Sequence, residues 1–85
     1  MTKEQLREYV ECGHEIEFKY KGKEYSITYW YPDDNDDNCW ISFCEFYKET
    51  TEVKTADELW DNVSRDGTTV GNMLSSVSDD AIYIY

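Results

Sequence analysis

The sequence predicts an α+β domain: a small antiparallel sheet with helices on one face, in the order α-β-β-β-α-α-β. Three observations predict it. Apolar residues recur at helical spacing in segments introduced by capping signals. Other segments alternate apolar and polar residues with period two. Short turn signals join the alternating segments, which favours antiparallel neighbours.

Thr2 and Gln5 have the spacing of a capping box, and Leu6, Tyr9 and Val10 form one helical face, so the first helix spans about residues 3–12 and stops at Gly13. Ile16, Phe18 and Tyr20 alternate with polar residues, as do Tyr25, Ile27, Tyr29 and Tyr31. Lys21-Gly22 between them is short enough for a two-residue turn, which opposes Phe18 to Tyr25, Ile16 to Ile27 and Lys19 to Glu24, although a longer loop over 21–24 also keeps the faces in phase. Residues 39–46 form a third strand. Folding it back with Trp30 opposite Trp40 sets Thr28 against Ser42, Tyr29 against Ile41 and Ile27 against Phe43, so each face of the meander is self-consistent.

Thr55 and Glu58 repeat the capping-box spacing ahead of Leu59, Trp60 and Val63. That helix ends before the turn signal Asp66-Gly67. Val70, Met73, Leu74 and Val77 mark a third helix, Ser78 to Asp80 a turn, and residues 81–85 a last strand, expected beside the first.

Leu, Ile, Val and Phe make up only 16 of 85 residues, and the formal net charge is -11. That combination signals disorder in bulk. Here 8 Tyr and 3 Trp replace the missing aliphatics at strand and helix spacing, so a single folded domain is expected over 1–85. The charge is uneven: residues 1–31 carry a net of -1 and residues 32–85 a net of -10, with no linker between. One acidic side of one domain is the expected result. Excess carboxylate disfavours direct binding of a nucleic-acid backbone, which needs Lys and Arg. No apolar run is long enough to span a membrane, and the first fifteen residues lack the apolar core of a signal peptide, so a cytoplasmic protein is expected.

Chemistry-bearing constellations are sparse. Asp33, Asn35 and Asp37 have the opening spacing of a calcium loop, but Asn38 replaces its Gly and Cys44 its bidentate Glu, so a solvated hairpin loop is the better reading. Cys12, His14, Cys39 and Cys44 lack zinc-site spacing, and three cysteines without a CxxC argue against a disulfide framework. No cofactor or metal is expected. The one His, His14, has no built-in geometry toward a nucleophile, and there is neither a P-loop nor a GxGxxG, so the chain reads as non-enzymatic.

Two surfaces suggest protein partners. Trp30 and Trp40, bridged by Asp33, Asp34, Asp36 and Asp37, form an apolar spot with an acidic rim, the composition of an interface anchor. Glu45, Glu49, Glu52, Asp57, Glu58 and Asp61 form the alternative: an acidic surface imitating a nucleic-acid backbone, which would inhibit a nuclease or DNA-binding protein through its basic surface.

The stretches GHEIEFKYKGKEYSIT and ISFCEFYKETTEV, followed by a helix-DG-helix segment and a short last strand, resemble a loose group of small acidic proteins of Gram-positive gut bacteria and their mobile elements. The resemblance covers most of the chain but rests on structural motifs. It implies a bacterial cytosolic setting and a phage- or element-related role, and it assigns no functional residue.

Overall fold

The structure, a computed structural model, describes residues 1–30, 40–46 and 48–85. It begins with α1, Lys3–Glu11. Both halves of the predicted capping box form: Thr2 Oγ1 accepts the Gln5 amide at 3.2 Å, and Gln5 Oε1 accepts the Thr2 amide at 2.9 Å. These bonds satisfy donors that the first helical turn leaves free. Gly13 takes φ +79° after the helix, a left-handed geometry that suits a residue without Cβ.

Strands β1 (Ile16–Tyr20) and β2 (Lys23–Trp30) pair in the predicted register, with Ile16 opposite Ile27 and Phe18 opposite Tyr25. Lys21 at φ 50° and Gly22 at φ 81° form the turn. Positive φ at both central positions matches the right-handed twist of the two strands. Strand β3 (Trp40–Glu45) runs antiparallel to β2, with Trp30 opposite Trp40, Thr28 opposite Ser42 and Ile27 opposite Phe43, as expected.

Strand β4 (Thr50–Val53) was not expected and adds to the element order; it pairs with the outer edge of β3. Its inward positions are Thr51 and Val53, so it lacks the apolar alternation that marks the inner strands. Helix α2 (Ala56–Asn62) follows, with Thr55 Oγ1 accepting the Glu58 amide at 3.1 Å. It ends where Val63 turns extended, earlier than its apolar spacing suggests. Strands β5 (Ser64–Arg65) and β6 (Thr68–Thr69) then make a small separate hairpin around Asp66-Gly67, both with positive φ. The turn signal therefore does more than stop a helix.

Helix α3 (Val70–Ser76) is capped by Thr69, and a 3-10 turn at Asp79–Ala81 leads into β7 (Ile82–Ile84). Strand β7 joins β1 as expected, antiparallel, with Ile16 opposite Ile84 and Phe18 opposite Ile82. The main sheet has the order β4-β3-β2-β1-β7.

The three helices share one face of this sheet. Leu6 and Val10 of α1, Leu59 of α2, and Val70, Met73 and Leu74 of α3 are buried against the inward residues Ile16, Phe18, Tyr25, Ile27, Ile41 and Phe43. Phe18, Tyr25 and Phe43 stack across three strands, with ring centroids 5.3 Å and 5.5 Å apart in sequence across the sheet. The Arg65 guanidinium lies 5.2 Å from the Phe43 ring centroid and donates to Thr51 Oγ1, sealing that end of the core. Burial pushes the Tyr25 hydroxyl above its ordinary pKa, the neighbouring Glu45 carboxylate adding to the effect. No helix among the described residues is long and apolar enough to cross a membrane.

Candidate functional site: the open face of the sheet

Side chains alternate along a strand, so burying Ile27, Tyr29, Ile41 and Phe43 sends Ser26, Thr28, Trp30, Trp40, Ser42 and Cys44 to the opposite face. Thr50 and Glu52 of β4 extend this set, opposite Cys44 and Ser42 respectively. Together these residues line a shallow depression of about 420 Å³. Among the described residues, the buried side chains of the three helices pack on the opposite face.

Trp30 ends β2 and is 52% exposed, an unusual state for so large an apolar side chain. Its cross-strand partner Trp40 is half-buried. The two tryptophans are cross-strand partners and line the depression together with Thr28 and Ser42. Deeper along the same strands, Ser26 Oγ and Cys44 Sγ lie 3.1 Å apart. At the far edge of the sheet, β7 turns Tyr83 outward, 56% exposed. Asp33, Asp34, Asp36 and Asp37, expected to rim the tryptophans, lie outside the described residues, as does Cys39.

The second set of expected site residues does not gather on one face. Glu45 is opposite the core residue Tyr25, and Glu52 opposite the outward Ser42, so they point to opposite sides of the sheet. Glu45 and Glu49 share a depression with Lys48 and Arg65, where cations offset them. Asp57 and Asp61, four residues apart on α2, are solvent-exposed but pair with cations of α1. Arg7 donates to Asp57 Oδ1 at 2.6 Å and Lys3 to Asp61 Oδ2 at 2.6 Å. Arg7 holds the Asp57 carboxyl below its ordinary pKa, chiefly by that hydrogen bond, and Lys23 does the same for Asp66. Glu58 is exposed on α2. The expectation of one acidic side followed from counting charge along the chain. It could not register that Lys3, Arg7 and Lys23, all from the near-neutral first part, reach across to acids of the second.

The residues considered for catalysis are engaged elsewhere. His14 Nδ1 lies 2.9 Å from the Tyr85 carbonyl oxygen, and its ring meets Tyr9 edge-on at 5.8 Å. Cys12 is exposed at the end of α1, and the neighbour of Cys44 is a hydroxyl and not a base. Among the described residues, no group of three or more His, Cys, Asp or Glu side chains converges as metal ligands would. Sequence reasoning missed the contribution of β4, which brings Glu52 and Thr50 to the tryptophan face. The signal lay in the β-branched pair Thr50-Thr51 ahead of Val53, which suits a strand although its pattern is polar. Compared with known proteins, the chain matches no family model, no curated protein and no solved structure.

Proposed function

We propose that the chain is a non-enzymatic protein-interaction domain of a bacterial cytosol, docking a protein partner on the open sheet face around Trp30 and Trp40. The observation that carries this reading is the cross-strand tryptophan pair on the face that the described helices leave bare, with Trp30 half exposed to water. Large aromatics concentrate binding energy at protein interfaces because they bury much area at little entropic cost. The dispersal of Glu45, Glu52, Asp57 and Asp61 over several surfaces, two of them already ion-paired, favours the tryptophan face over nucleic-acid mimicry.

The test is affinity capture from bacterial lysate with the wild-type chain and with a Trp30→Ala/Trp40→Ala double variant, at low and high salt. A partner retained by the wild type and lost by the folded double variant supports the reading. Capture that ignores both tryptophans yet collapses with salt would replace it with the acidic-mimic alternative.

A further inference from the structure

We infer that the open face is a receptor for an arginine side chain presented by a protein partner, stacked against Trp30 and Trp40 and held by Glu52. The inference rests on the docking reading above and names its chemistry. Glu52 lies opposite Ser42, one same-face step along β3 from Trp40, and it lines the same depression as both tryptophans. Diagonal neighbours at that spacing are within reach of long side chains.

Charge selects the occupant. Lys3, Arg7 and Lys23 are held by Asp61, Asp57 and Asp66. Arg65 is held by Thr51 and the Phe43 ring. Glu52 has no ion pair among the described residues. A carboxylate that lines one depression with two tryptophans, on a chain of net charge -11, attracts a cation. A second copy of this chain would bring the same negative charge to the contact and is disfavoured on that ground.

Guanidinium fits the depression better than ammonium. Its plane stacks on indole, its fork matches a carboxylate, and its remaining N–H donors need acceptors of the kind that the Thr28 and Ser42 hydroxyls supply. Apolar walls also suit the weakly hydrated guanidinium, whereas a lysine ammonium gives up more water on entering.

The experiment follows the indole N–H signals of the ¹⁵N-labelled full chain by NMR. The chain has 3 Trp, and Trp60, packed against Gly71 on the helical side, serves as internal control. The probe is a blocked pentapeptide with a central arginine between serines and glycines, compared with the same peptide carrying citrulline or lysine. Saturable shifts of the Trp30 and Trp40 signals with the arginine peptide, a static Trp60, and about tenfold weaker binding of citrulline support the inference, tenfold being about 1.4 kcal/mol. Glu52→Gln, which leaves both indoles in place, should weaken the arginine peptide several-fold. Equal responses to arginine and citrulline, equal affinity for lysine, or no movement of Trp30 and Trp40 would overturn it. If the peptide fails while tryptophan-dependent capture of a partner persists, docking stands and the arginine assignment falls. If both fail, both fall.

Discussion

Gly71 opens α3 where the helix passes Trp60. A Cβ built there would lie 2.5 Å from the indole Nε1 and 2.7 Å from two ring carbons, so any side chain must displace a rigid, half-buried ring. Gly71→Ala should destabilise the fold by about 1–3 kcal/mol, the usual cost of overpacking, although alanine is the better helix former. Urea denaturation gives the value, and Trp60→Phe in the same chain should recover part of it. At the other side of the helical layer, the Arg7–Asp57 pair makes a pH-dependent contribution. A carboxyl whose folded pKa lies below its ordinary 3.8 stabilises the fold above that pH, and the contribution disappears as pH falls through the folded value. NMR titration of the Asp57 side chain should show a folded pKa below 3.8, and Arg7→Gln should return it toward that value.

Elements differ in how far sequence determines them. The β1–β2 hairpin has its faces fixed by period-two alternation, which also allows a longer loop over 21–24; the observed two-residue turn sets the register, with Lys19 opposite Glu24. Its weakest choice is Lys21, held at φ 50°, where asparagine is the preferred residue before glycine in such a turn. Lys21→Asn should therefore raise stability by a few tenths of a kcal/mol to about 1 kcal/mol, read as a shift in the urea midpoint without a change in slope. Helix α2 contributes the fully buried Leu59, and Leu59→Ala should cost about 2–5 kcal/mol.

The meander and the three helices were legible because burial on one face imposes a period on the sequence, whereas no spacing in the sequence placed the last strand beside β1. Strand β4 was not legible, because an edge strand needs only backbone pairing and one apolar anchor, here Val53. The β5–β6 hairpin contributes two residues per strand, too few for any period to form. At the site, Trp30 opposite Trp40 could be read from register alone, while Glu52 depended on the unseen β4. The ion pairs across α1 and α2 were hidden for a further reason. Pairs separated by 58 and 50 residues are products of helix packing, which no local spacing encodes.

The whole molecule balances a net charge of -11 against a core of aromatic and aliphatic side chains on one side of one sheet. Self-repulsion at that charge opposes compaction, and salt screens it. Raising sodium chloride from about 0.05 to about 0.5 M, which shortens the Debye length from roughly 14 to 4 Å, should raise the thermal midpoint. The cross-helix ion pairs are solvent-exposed and lose little on screening, so a falling midpoint would mean that they, and not the core, hold α1 to α2.

The same one-sided core leaves the other face of the sheet without a helix among the described residues, and the proposed function needs that face to be the docking surface. The most direct measurement compares two charge-placing variants in a partner-capture assay: Thr28→Arg, in the middle of the open face, and Glu58→Arg, on the exposed side of α2. Both positions are outside the core, so each variant should keep the wild-type unfolding free energy in urea to within about 0.5 kcal/mol. The expected result is that Thr28→Arg abolishes capture and Glu58→Arg leaves it intact. Loss of capture with Glu58→Arg and its retention with Thr28→Arg would contradict the account.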